Sequence, residues 1–145
     1  MPGWSPEARA FLERHRVGHL ATAGADGAPH VVPVCYALDA SALYFVADEK
    51  PKRRPARALQ RLENLRANPR AALVVDDWDE DWSRLAFVMV RGPARILTEP
   101  AEHAAALRLL RARYAPYAAM ALDDPARNPV VRIEPARVVH WRARP

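Results

Sequence analysis

The sequence predicts a mainly β (α+β) domain, a small antiparallel barrel carrying peripheral helices. Three observations predict it. Short apolar runs are separated by tight-turn residues such as Gly24-Ala25-Asp26-Gly27 and Asp39-Ala40-Ser41, which is the pattern of antiparallel strands. The elements come in the order helix, three strands, helix, two strands, helix, two strands. That order lacks the strict strand–helix alternation of a doubly wound parallel sheet. At 145 residues, half of them apolar and 27% charged, the chain has the length of one domain and enough apolar surface to fill a core unaided. With no internal repeat and no linker composition, residues 1–145 read as a single domain.

Each element has a local cause. Ser5 followed by Pro6 is a helix start, an N-cap hydroxyl before a proline at the first helical position. Ala8, Phe11 and Leu12 then recur at helical spacing. Residues 17–23 form a strand, ended by the Asp26-Gly27 turn. The run His30–Leu38 is apolar on both alternating faces, with Val31, Pro33 and Cys35 on one and Val32, Val34 and Tyr36 on the other. It is expected to be a strand covered on both sides. Leu43–Ala47 is the third strand of a predicted meander. A proline-broken basic loop spans 48–57, and Pro55 is placed to open a helix over Ala56–Ala67, ended by Asn68-Pro69. Residues 71–75 are a buried strand and 76–82 an acidic loop. Ala86–Thr98 is a long strand bent near Gly92-Pro93. Pro100 opens a helix with Leu107, Leu110 and Tyr114 on one face. Residues 130–133 and 138–142 are two closing strands.

Charge narrows the function. There are 22 Lys and Arg against 17 Asp and Glu, a formal charge of +5, and the only lysines are Lys50 and Lys52. Six basic side chains crowd into Lys50–Arg61, directly before and inside the predicted second helix. A helix N-terminus with forked arginines is suited to phosphate. A solvated basic face is the plain alternative. A nucleic-acid patch is a weaker one, because no aromatic is interleaved and no recognition motif precedes the run.

Other chemistries lack their residues. The single Cys35 forms no internal disulfide and is expected to fill the core. No GxGxxG or P-loop pattern is present. Asp77, Asp79 and Asp81 match the start of a calcium loop, but Trp82 stands where glycine is needed and Val88 where glutamate is needed. No HExxH or close histidine pair suggests zinc. His103 is expected in solvent, while His19 and His30 flank the first hairpin and could line a mouth. Trp78 and Trp82 are either a lid over a flat ligand or loop anchors, and at least one is expected to anchor on the core. No serine sits in a nucleophile elbow. No apolar window approaches the ~18 residues of a membrane span, and no signal-peptide pattern opens the sequence. A soluble cytoplasmic protein is expected, with no membrane or nucleic-acid partner.

Several segments together carry a family resemblance. GHLATAGADGAPHVVPVCYAL is similar to the first hairpin, LYFVADEKPKR to the third strand and phosphate loop, RALQRLENLRANPRAALVVD to the helix and strand entry, and DEDWSRLAFVMVRGPARIL to the loop and long strand of one superfamily. The chain thus resembles the pyridoxamine 5'-phosphate oxidase-like split β-barrel proteins, in particular their deazaflavin (coenzyme F420)-dependent branch. The match covers about residues 11–98 well and the remainder in outline. It implies an antiparallel split β-barrel of the FMN-binding type and a homodimer with cofactor at the subunit interface. It also implies an oxidoreductase passing hydride from reduced F420 to a small organic acceptor, with no side chain assigned as catalytic. By position, the cofactor phosphate would meet Lys50, Lys52, Arg57 and Arg61. The ring would lie near Val32, Pro33 and Val34, with Trp82 approaching from the other subunit. FMN is the alternative cofactor, and a non-catalytic flavin- or haem-binding protein the alternative role. The basic loop is longer than the Ser-Arg-Lys element of the true oxidases, and their C-terminal substrate-binding segment is not recognisable in the sequence, so pyridoxal phosphate synthesis is not expected.

Overall fold

The computed structural model describes residues 3–48 and 59–144. Helix α1 (Pro6–Arg14) starts as its sequence dictates, with the Ser5 hydroxyl accepting from the Ala8 amide at 3.1 Å. Its Ala8, Phe11 and Leu12 are buried. Beyond its end, His15 Nε2 lies 2.5 Å from Asp77 Oδ1. Strands β1 (Gly18–Ala23) and β2 (Pro29–Val34) form an antiparallel hairpin. Its turn uses Gly27 at φ +78°, a left-handed conformation that favours glycine.

The expected single strand over 30–38 is broken. β2 stops at Val34, and β3 (Ala37–Leu38) pairs with β4 (Leu43–Val46) instead. The cause is Tyr36. Its amide donates to the Tyr114 hydroxyl at 3.0 Å, and its carbonyl accepts from Arg113 Nε at 2.8 Å. With both main-chain groups held by side chains, Tyr36 has none left for a strand ladder. The chain crosses there from one end of the sheet to the other, so the three-strand meander does not form.

The sheet order is β2-β1-β5-β6-β7-β4-β3, with β8 also on β6. β5 covers Arg70–Asp77, β6 Ala86–Ile96, β7 Val130–Ile133 and β8 Arg137–Arg142. β5 therefore runs into the segment expected to be an acidic loop. β6 pairs with β8 over 86–91 and with β7 over 94–96. The sheet splits between them, at Gly92-Pro93, where the sequence predicts a bend. This is an antiparallel split barrel.

Two apolar clusters fill it. Phe11, Leu12, Leu20, Leu43, Phe45, Leu62, Leu73, Val88 and Val90 pack the interior. On the other side of the wall, Tyr44 and Val46 meet Leu107 and Leu110 of α3 (Pro100–Arg113). β4, not β2, is thus buried on both faces. The outward residues of β2 are open, and Val31 is 64% exposed on an edge strand. His103, expected in solvent, is buried, and its Nε2 bonds the Asn128 carbonyl at 2.8 Å.

Helix α2 covers Gln60–Ala67, with Leu59 extended before it. It therefore starts later than Ala56. Among the described residues no helix is long and apolar enough to cross a membrane.

Candidate functional site

Where β2 and β4 end, their last side chains and the first turn of α2 enclose a cleft of about 190 Å³. It is lined by Val17, Pro33, Val34, Cys35, Val46, Asp48 and Arg61. The Tyr36 crossing sets one wall, because it ends β2 at Val34 and leaves Cys35 just beyond the ladder at the barrel mouth. The other wall is fixed by bonds around Ala47, whose amide donates to the Pro129 carbonyl at 2.9 Å. Its carbonyl accepts from Asn128 Nδ2 at 2.8 Å. Among the described residues most of the lining is apolar, and the charged groups that break it are Asp48 and Arg61.

Arg61 is half-buried. Its Nε is fully covered and has no hydrogen-bond partner among the described residues. Burial lowers its pKa, and the Asp48 carboxylate and Tyr117 partly offset that. A guanidinium N–H left open and out of water is a costly arrangement unless an acceptor arrives.

Asp48 is 5% exposed. Its Oδ2 accepts from the Tyr117 hydroxyl at 2.8 Å. Tyr117 is buried in the single turn of 3-10 helix Ala115–Ala119 that follows α3. Arg111 holds that turn by donating to the Tyr117 carbonyl at 3.2 Å and the Met120 carbonyl at 3.0 Å. Burial raises the Tyr117 pKa, and the Asp48 charge raises it further. Tyr117 is therefore a neutral phenol that donates to a carboxylate.

The residues expected at the site divide three ways. Pro33, Val34 and Arg61 meet in the cleft. Val32 turns inward and packs on the core. Trp82 starts a short 3-10 turn (Trp82–Arg84), stands 67% exposed and does not line this cleft in its own chain. Trp78 is equally bare at 66%, so neither tryptophan anchors on the core. Lys50, Lys52 and Arg57 lie outside the described residues.

Asn64 is buried, donating to Thr22 Oγ1 at 3.0 Å and accepting from Gln60 Nε2 at 2.7 Å. It locks α2 onto β1. Cys35, expected in the core, is partly exposed and lines the cleft. His30 faces a separate groove with Asp26 and Glu63, and His19 is exposed. Val17, Val46, Asp48 and Tyr117 were not expected at the site. Asp48 carried a faint signal, an acid directly after the apolar run LYFVA. Tyr117 carried none, because it reaches Asp48 from 69 residues away. Among the described residues, no group of three or more His, Cys, Asp or Glu could hold a metal ion.

Comparison with known proteins gives this geometry relatives. The pyridoxamine 5'-phosphate oxidase family profile matches residues 4–142. No curated protein sequence matches the chain. Among solved structures, a conserved hypothetical protein from Mycobacterium tuberculosis superposes with a TM-score of 0.76 at 25% identity, covering 97% of this chain and 86% of that one. A structure described as an F420 reductase gives 0.63 at 29% identity, covering 90% and 94%. A FAD-binding protein from Mesorhizobium loti gives 0.66 at 28%, covering 95% and 94%.

Proposed function

The chain belongs to the pyridoxamine 5'-phosphate oxidase family, whose profile spans residues 4–142, and from that membership we propose that it is a cofactor-dependent oxidoreductase. In this reading it binds coenzyme F420 at the mouth of the split barrel and uses it to reduce a small organic acceptor. When bound, such a cofactor supplies the hydride. The chain's own residues bind, orient and exclude water.

One observation carries the reading: the covered Arg61 Nε, which has no partner among the described residues, at a mostly apolar slot. An apolar wall of Val17, Pro33, Val34 and Val46 suits a flat ring, and the open guanidinium N–H suits an anionic oxygen. Tyr117 donates to Asp48, and this reading assigns no general acid among the described lining residues. The likeness to an F420 reductase supports the deazaflavin choice. The likeness to a FAD-binding protein favours a flavin such as FMN as the second reading.

The cleft is smaller than the roughly 300–1,000 Å³ of small-molecule sites. We therefore include a second copy of the chain in the proposal, with the cofactor between the two. The bare Val31 face of the edge strand β2, beside Pro33, supports that placement.

The test is the absorbance spectrum of the purified protein, followed by parallel titrations with F420 and FMN. Tight F420 and weak FMN binding is expected, with Arg61→Ala weakening F420 by about tenfold or more at an unchanged melting temperature. A protein that takes FMN in preference moves to the flavin reading. A protein that binds neither overturns both.

A further inference from the structure

The outer face of the sheet carries its charges unevenly. Arg91 of β6 and Arg137 of β8 stand directly opposite each other, and like charges so placed repel. A second such pair, Arg95 of β6 and Arg132 of β7, is offset within the chain by Glu102, 2.8 Å from Arg95. Arg91 and Arg137 are exposed and have no ion pair among the described residues. They share an outward row with Ala72 of β5. Further along the same strands, Asp76, Phe87 and Trp141 form a second outward row. Asp76 is exposed and also has no ion pair among the described residues. Phe87 and Trp141 stack with ring centres 5.7 Å apart, yet Trp141 stays 44% exposed. Between the two rows lie Val74, Met89 and Val139, apolar and half-buried.

We infer that this face binds a second copy of the chain with the two sheets reversed end for end, so that the Asp76-Phe87-Trp141 row of each copy meets the Arg91-Arg137 row of the other. This rests on the second copy included in the functional reading and adds the residues that join it. A two-fold axis along the Val74-Met89-Val139 row produces the match. It sets Phe87 opposite the partner's Arg91 and Trp141 opposite the partner's Arg137, which suits guanidinium on an aromatic face. It sets Asp76 opposite the partner's Ala72, one strand spacing of about 4.8 Å to the side of the partner's Arg91. The long arginine side chain spans that offset. The apolar row then packs on its own copy. A two-fold axis along the strands instead lays arginine row on arginine row, an arrangement that charge rejects.

The experiment is a charge swap read by light scattering and sedimentation of the purified full chain. The wild type is expected to be a dimer. Asp76→Arg alone, and Arg91→Glu with Arg137→Glu, are each expected to raise the dimer dissociation constant by about tenfold or more. All three substitutions in one chain restore the dimer, as does mixing the two reversed chains. Loss of fold gives no such rescue, so the swap separates a broken interface from a damaged domain. Reversals that leave the dimer intact, or a triple variant that stays monomeric, overturn the pairing and leave the functional reading standing. A wild type that is monomeric alone and with F420 or FMN present overturns the pairing and the two-chain placement together. A successful swap in a protein that binds neither F420 nor FMN upholds the pairing and ends the cofactor reading.

Discussion

A methyl group at Gly92 would stand 1.8 Å from the Glu134 carbonyl oxygen and 3.0 Å from the Ala136 amide. Both obstacles are main chain, so no side chain can swing aside. Gly92→Ala is expected to cost at least about 3 kcal/mol, the upper end of overpacking penalties, read from urea melts. A loss within 1 kcal/mol would show that the β7–β8 connection yields. A polar counterpart is Asp39. Burial works to raise its pKa, but bonds from the Ser41 amide, the Tyr44 hydroxyl, the Ala42 amide and the Ser41 hydroxyl outweigh this and lower it. A carboxylate held lower in the folded state stabilises fully above its unfolded value of about 3.9 and loses that contribution as pH falls below it. Stability measured from pH 5 to pH 2 should therefore fall less steeply in Asp39→Asn than in wild type. Identical slopes would remove Asp39 from the acid response.

The elements differ in how much of their placement is local. α1 is legible because its cap, its proline and its three buried residues all lie within eight positions of one another. The point where β6 changes partner from β8 to β7 is legible because glycine and proline mark it. The Cys35–Tyr36 crossing is not legible, because Tyr114 and Arg113, which hold it, stand 78 and 77 residues away. The same limit hid the Asp48–Tyr117 pair. β2 and β4 look alike as apolar runs, and only the position of α3 decides that β4 is covered twice. Tyr114→Phe isolates the crossing. The hydroxyl accepts from the Tyr36 amide and donates to main-chain oxygen of Arg16 or Tyr36, each at 2.9 Å. Its removal strands a buried N–H, at a cost of about 1–3 kcal/mol. Faster hydrogen exchange at the Tyr36 amide should accompany that loss, and unchanged protection would show that another group takes over.

At the scale of the molecule, the bare strand β2 is the place to test the proposed second copy. Val31→Lys puts a charge on a face that is already 64% exposed, so the folded monomer should keep its melting behaviour. A shift from dimer to monomer in light scattering, together with weaker cofactor binding, is expected. A wild type that is monomeric when loaded with cofactor would end the two-chain picture. The Tyr36 crossing has one more consequence, and it concerns order in time. A chain made from its N-terminus emerges with β1 to β4 long before Arg113 and Tyr114 exist. Until those two residues arrive, the Tyr36 main chain is satisfied only by water, and the sheet's two ends have nothing to join them. The barrel mouth is therefore completed late in synthesis, and the slow loop closure that long sequence separation imposes falls on the segment that builds the cleft.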